Sequence, residues 1–591
     1  MCIESAQADF VPLWQRFQPP DTSKHPNTQH PTPEHPTPNT PLSREKTKMA
    51  SETSVAVSDS GVKKTLSTTG VTINAMALIA PGAFLWITFQ LQAGAKGPDG
   101  QTSTAFDMWQ GIVFALVVAF LTALSYAEMA KIYPEAGFGS AYYFAEKTFA
   151  DKASVAHQKW GRIAKLVTGW AAHLFYWVYP GVMVTFMAVL VSYIAGLFGV
   201  MDGTGNPGLS FPLKIAVAVI FAFVCGGIAV RGINGSTMTS LIINIIQLVT
   251  LVFFSCAAIA YRLINPQHAN FGTLAAGDPN AGHASWVSII LPHSLTALLF
   301  QATIAILILV GFESCTALGA EAKDARKSVP IGVIWSLIIQ GLFAYLFEYF
   351  AANFALSDKL VYTATDAAGV KTVSTGMAAA AASQAPIGDM MRLIGDSLFH
   401  GLGFGLTVTM AVTVALAVLA TTLACINTGV RVSYAMAKDK EMPQLMGLMH
   451  GRFATPHTAV WMLAAVSAII GAIGVKNSVY QTGIGIASNL GTFVLYMLIC
   501  VWTMIAFAGR KERNHFLHML IPFLGLLANF VMIATIFYLS FSVPGDTRTE
   551  GFIAIGLAAL WAVVSAIYIL VTSARSGKKM FDAPKVSLTG P

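Results

Sequence analysis

Apolar runs about the length of a bilayer's thickness recur twelve times along this chain, and they limit the fold before any motif is read. A helix needs roughly 20 apolar residues to cross ~30 Å of hydrocarbon, and only helices and closed barrels satisfy their backbone there. The runs fall at 71–93, 108–130, 166–196, 212–230, 236–261, 295–318, 331–354, 404–435, 457–475, 480–507, 517–541 and 551–573. Of 591 residues, 55% are hydrophobic and 11% charged, where soluble domains carry about 25% charged residues. No stretch of domain size is left over. The expected architecture is an all-α integral membrane protein with 12 transmembrane helices.

An even number of spans puts both termini on one side. With that side taken as cytoplasmic, the inner loops and C-terminus hold 21 of the 36 Lys and Arg, the outer segments 8 and the N-terminal tail 7. This asymmetry follows the positive-inside rule and predicts a multi-pass protein of the cell (cytoplasmic) membrane with both termini inside. The net charge of +7 is then a topology signal that also favours anionic lipid in the bilayer, and no nucleic-acid partner is read from it. Five of the six cysteines, Cys225, Cys256, Cys315, Cys425 and Cys500, lie in or beside spans, and Cys2 is in the tail, so there is no disulfide framework. Residues 1–65 are rich in Pro, Thr and Ser and predict a disordered tail. His25, His30 and His35 in that tail read as low-complexity polar sequence, and no metal site or cofactor is expected. Met49 offers a second start.

The first span, VTINAMALIAPGAFLWITFQLQA, contains Pro81 and Gly82, which predict a break near mid-membrane. The sixth weakens at Gly311. Paired interruptions at corresponding places in two halves are the best sequence pointer to the substrate site of an inverted-repeat transporter. A half-helix beginning near Gly82 offers N–H groups to an anion, and one ending near Gly311 offers carbonyls to a cation. Together they suit a zwitterion.

Glu313, two residues past Gly311, is a carboxylate within a span, a costly placement that usually marks a pathway or relay. It is the first candidate for coupling and gating. Glu348 is the second, with a satisfied interior role as the alternative for it and for His173. Glu128 should pair with a nearby base. Thr421 and Thr422 suit either sodium or their own helix backbone. The aromatic run Leu174–Tyr179 suits a path lining or a packed core.

Three stretches resemble the amino acid-polyamine-organocation transporters. Leu124–Phe149 is similar to the family's second helix and first inner loop, Gly311–Pro330 to its sixth-helix Gly-Phe-Glu and the charged loop after it, and Arg431–Ala459 to the link between helices eight and nine. The resemblance covers roughly residues 66–575. It implies a five-plus-five inverted repeat, 66–262 and 263–510, with two added helices at 511–575 and a cytoplasmic tail at 576–591. It also implies that an amino acid would set its carboxylate on the backbone of Gly82 and Ala83 and its amine on carbonyls around Ile79 and Val310. Gly311 joins the expected site, Phe312, Phe84 or Trp86 would stand in as gate, helices three and eight would complete the wall, and Glu313 would be tied to gating or proton response. The chain departs from the pattern at Ala80-Pro81, at Leu307 where an aromatic gate is usual, at Gly137-Phe138 and at Ala325. Its fifth helix lacks the Lys found in some proton-coupled members.

These readings converge on a secondary transporter of amino acids or related small amines working by alternating access. It should be coupled to protons, with sodium as the other candidate ion. A polyamine or organic-cation carrier or exchanger is the runner-up, and a nutrient receptor on a transporter scaffold comes after it. No nucleophile with a base or metal constellation points to an enzyme.

Overall fold

The computed structural model describes residues 64–79, 81–134, 139–150, 155–232, 236–266, 286–366, 368–453 and 455–576. The N-terminal tail with its histidines, Cys2 and Met49, the break residue Ala80, Gly137-Phe138 and the last fifteen residues lie outside that description.

The first span is described as two helical stretches on either side of Ala80. α1, Thr68–Ile79, starts where Ser67 Oγ accepts the Gly70 N–H at 3.2 Å. α2 is Pro81–Gly94. The second span is α3, Met108–Ile132. A short helix, α4, Ala141–Ala150, precedes α5, Val155–Leu197, which at 43 residues starts well before the apolar run that predicted it. Its added turns carry Lys159, Arg162 and Lys165, so hydropathy alone could not extend it. α6, Phe211–Val230, and α7, Ser236–Ile264, follow.

The sixth span is interrupted as well. α8, Leu295–Ala305, is capped by Ser294 Oγ, which accepts the Ala297 N–H at 3.3 Å, and tightens to a 3-10 turn at Ile306–Ile308. Gly311 then takes φ +118°, and the chain continues as a 3-10 stretch, Phe312–Glu321. The seventh span is α9, Ala325–Leu337, a π-helical stretch, Ile338–Tyr345, and α10, Leu346–Ala355. Between it and the next span lie elements that a search for apolar length does not predict. Here an antiparallel hairpin pairs β1, Val361–Thr365, with β2, Lys371–Thr375, in register Val361 to Thr375, and two helices follow, α11, Gly376–Ala382, and α12, Pro386–Leu398. The last five long helices are α13, Gly403–Lys438, α14, His457–Gly474, α15, Ser478–Phe507, α16, Ile521–Ser542, and α17, Asp546–Ser576.

Among the described residues, eleven helices are long and apolar enough to cross a membrane. The broken α1 and α2 pair occupies the remaining expected span. Both halves of that pair are lined by other helices, α1 packing on α9, α13 and α7, and α2 on α11, α13 and α12. Rows of exposed apolar side chains, such as Ile220, Phe223 and Val224 on α6 and Leu560, Val563 and Ile567 on α17, face outward. That is the surface a lipid-bathed protein needs, and it leaves polar groups for the middle.

Candidate substrate site

Three carbonyls in the last turn of α1 are met by side chains from other spans. Gln340 Nε2 donates to Met76 O at 3.3 Å, Thr421 Oγ1 to Ala77 O at 3.1 Å and Tyr345 Oη to Ile79 O at 2.8 Å. The break in the sixth span is served in the same way. Asn489 Nδ2 donates to Thr303 O at 2.8 Å and Tyr179 Oη to Leu307 O at 3.3 Å.

The two breaks touch. A Cβ on Gly311 would stand 2.8 Å from Leu78 Cγ and 3.1 Å from its carbonyl carbon, and its φ lies in the left-handed region. Only glycine accepts both conditions without strain. Glu313 folds back over this junction. Its Oε2 accepts the Gly311 N–H at 3.0 Å and the Tyr496 hydroxyl at 2.9 Å, while Oε1 accepts the Tyr176 hydroxyl at 3.1 Å. Tyr496 comes from α15 and Tyr176 from α5, so one carboxylate ties three spans together.

Of the residues predicted for the site, Ile79, Val310, Phe312 and Glu313 are completely buried and Gly311 joins them. Gly82, Ala83 and Phe84 lie in the first turn of α2. Phe312 lies against Tyr496 at 5.3 Å between ring centroids and edge-on to Tyr126 at 6.1 Å. Leu307, where an aromatic gate was expected, has the ring of Tyr179 brought to its carbonyl instead. Glu348 is not at the Gly311 junction. It is 1% exposed on α10, and neither carboxylate oxygen has a hydrogen-bond partner among the described residues.

Other polar residues take the quieter roles offered to them. His173 bonds Gly169 O at 2.8 Å and Ser433 Oγ at 3.0 Å, Thr422 bonds its own helix at Val418 O, 2.6 Å, and Glu128 pairs with Lys131 at 2.5 Å and His518 at 3.1 Å. Thr421 divides its hydroxyl between Ala417 O and the broken first span. The tyrosine set Tyr176, Tyr179, Tyr345 and Tyr496 was only partly visible beforehand, through the aromatic run that holds the first two. Tyr345 and Tyr496 carry no local signal, because each acquires its role from a partner in another span.

A family model described as "Amino acid permease" matches residues 64–572. The chain belongs to that family. It is similar to the low-affinity putrescine importer of Escherichia coli K12, 24% identical over 515 residues, covering 86% of this chain and 93% of the importer. A branched-chain amino acid permease of Lactococcus lactis is 28% identical over 384 residues, 63% of this chain and 70% of its own length. A methylthioribose transporter of Bacillus subtilis is 20% identical over 493 residues, covering 82% and 89%.

In this permease the broken spans are tied to neighbouring segments at both ends. At one end the strand-like stretch before α1 is bound to the segment after the sixth span. The N–H groups of Thr65 and Leu66 donate to Glu321 O at 3.0 Å, the Lys323 N–H donates to Leu66 O at 2.9 Å, and Arg431 of α13 pairs with the Glu321 carboxylate at 2.6 Å. Ser140 meets Thr316 beside them. Lys165 of α5 bridges Glu146 and Asp439, each at 2.6 Å, and the Tyr142 hydroxyl stands 2.8 Å from Asp439 and 2.9 Å from Glu441. Burial pushes the Glu441 carboxyl up to about 7, a rise that nearby Lys165 opposes. At the other end Trp86 lies edge-on to Tyr193 at 5.6 Å, and Tyr193 donates to Asp389 of α12 at 2.9 Å.

Proposed function

We propose that this permease carries amino acids across the cytoplasmic membrane by alternating access, with uptake driven by protons and both termini on the cytoplasmic side. The observation that carries the proposal is the contact of two interrupted spans at Gly311 and Leu78, with the freed carbonyls held by side-chain donors from other helices. Such donors can leave. A substrate ammonium that displaces Tyr345 from Ile79 O, and a carboxylate that accepts the first N–H groups of α2, would replace protein contacts by ligand contacts one for one. The five-plus-five repeat supplies the rocking geometry, with the two added helices at its side.

A zwitterion fits better than a dication at this junction. Glu313 already accepts from three donors, so its charge is met within the protein and little is left for a second ammonium. The polyamine reading remains the specific competitor because the putrescine importer matches nearly its full length. Uptake by purified protein in liposomes tests both. Radiolabelled L-leucine and putrescine are presented under an imposed pH gradient and, separately, a sodium gradient. Accumulation of L-leucine under the pH gradient supports the proposal, and accumulation of putrescine alone replaces it with the polyamine reading.

A further inference from the structure

Two carboxylates lie deep in the spans, and their surroundings are opposite in kind. Glu313 receives three hydrogen bonds, one from a backbone N–H and two from tyrosine hydroxyls, so its ionised form is fully met, and a proton on it would oblige a tyrosine to turn from donor to acceptor. Glu348 receives none among the described residues and is 1% exposed. A buried carboxylate without donors is far costlier than the neutral acid, so the closed bundle holds Glu348 with its proton on.

We infer that Glu348 is the proton-carrying group of this permease and that Glu313 is the fixed tie of the broken sixth span. The inference rests on the transport reading above and deepens it.

Position supports the assignment. Phe347 is 39% exposed, and at about 100° per residue the buried residues Tyr349, Ala351, Ala352 and Asn353 of α10 mark an arc from roughly 40° to roughly 240° round from it. Glu348, about 100° round, lies inside that buried arc. One turn earlier Tyr345 holds Ile79 O at the end of α1, and the next residue, Tyr349, meets Phe89 of α2 at 5.8 Å between ring centroids. Both halves of the broken first span are therefore read by the face that carries Glu348. The π-helical stretch Ile338–Tyr345 ends three residues before it, and such turns are loosened places in a helix, often at functional sites.

The titratable groups on the packed elements do not serve as its counter-ion. Tyr345 and Tyr349 share its face, and Tyr179 lies beyond Tyr345. On α7 the charged group is Arg262, whose guanidinium stands over Phe354 at 5.5 Å, with Tyr261 beside it. At the head of α3, Asp107 accepts the backbone N–H groups of His293 and Ser294. On α12, Asp389 accepts from Tyr193 and Ser383, and Arg392 and Asp396 lie toward the surface. α7 contains no lysine, so no ammonium from that helix can take the part.

The step balances simply. When the bundle opens to the side of lower proton activity, the Glu348 O–H bond breaks, water takes the proton and the carboxylate is hydrated. Water on the other side returns a proton before the site closes again. One proton moves per cycle, and no oxidant or reductant is needed.

Infrared difference spectra and flux together test the inference on the full chain in lipid. At neutral pH the wild type should show C=O stretches of protonated carboxyls, of which one, distinct from that of Glu441, is absent in Glu348→Gln and retained in Glu313→Gln and Glu441→Gln. In vesicles, Glu348→Gln should lose accumulation of L-leucine or putrescine driven by a pH gradient while counterflow of the same probe persists. A spectrum of Glu348→Gln that keeps every wild-type carboxyl band, or accumulation equal to the wild type, overturns the inference. A merely structural carboxyl would lower counterflow and gradient-driven uptake together, which also overturns it. Absence of counterflow of either probe by the wild type would instead defeat the transport reading, and the spectra would still decide where the proton resides.

Discussion

At the scale of single residues the site is an exercise in pairing orphaned polar groups. Tyr496→Phe removes one of three donors from Glu313 and should cost about 1–3 kcal/mol, the penalty for leaving a buried acceptor short. Thermal unfolding in detergent reads that cost directly. An unchanged midpoint would mean that Glu313 does not depend on the hydroxyl. Gly311→Ala should do worse, because the left-handed backbone alone costs roughly 1–2 kcal/mol and the new methyl would press on Leu78. Transport should fall with stability; a variant that moves substrate normally would show that the two breaks do not need this contact. Glu313 could be singled out from the sequence because it follows Gly311 inside an apolar run. Its partners could not, since Tyr176 and Tyr496 lie 137 and 183 residues away.

At the scale of elements, the helices were legible where composition changed sharply and illegible where it did not. Gly311 announced the interruption of the sixth span, since it alters the backbone itself, while the break expected from Pro81 falls at Ala80, outside the described residues. The early start of α5 and the hairpin of β1 and β2 went unseen because charged turns and short alternating strands leave no trace in a search for apolar length. The tied end around Arg431 belongs to this scale. Charge reversal at Arg431 or Glu321 should unlatch α1 from the segment after the sixth span and expose cysteines placed near Leu66 to aqueous reagents. The double reversal should restore protection, and equal labelling of single and double variants would remove the latch from the account.

The neighbouring cluster should respond to pH. Tyr142 has one hydroxyl proton for two carboxylates, Asp439 and Glu441, so a proton on Glu441 supplies the missing donor. An acid whose pKa rises on folding stabilises the fold while protonated. Here that contribution is complete below the ordinary glutamate value of about 4.5 and is lost as pH climbs through about 7. The midpoint of thermal unfolding should therefore fall across that window, and Glu441→Gln should flatten the fall. An equally steep fall in the variant would place the titration elsewhere.

For the whole molecule, the account is one of differential contacts. Every carbonyl freed by a break and met here by Tyr345, Tyr179, Gln340, Thr421 or Asn489 is a contact that a ligand can replace, and only such replacement can shift a closed bundle toward another state. The apolar belt on the outer faces of the helices serves this by holding the remaining spans in place. The most direct measurement is an experimental structure of the permease in lipid with L-leucine bound. The account predicts the amino acid's carboxylate on the N–H groups of Gly82 and Ala83, its ammonium on Ile79 O, and the Tyr345 hydroxyl moved off that carbonyl. L-leucine found elsewhere, with Tyr345 still bonded to Ile79 and both breaks closed as they are here, would contradict it.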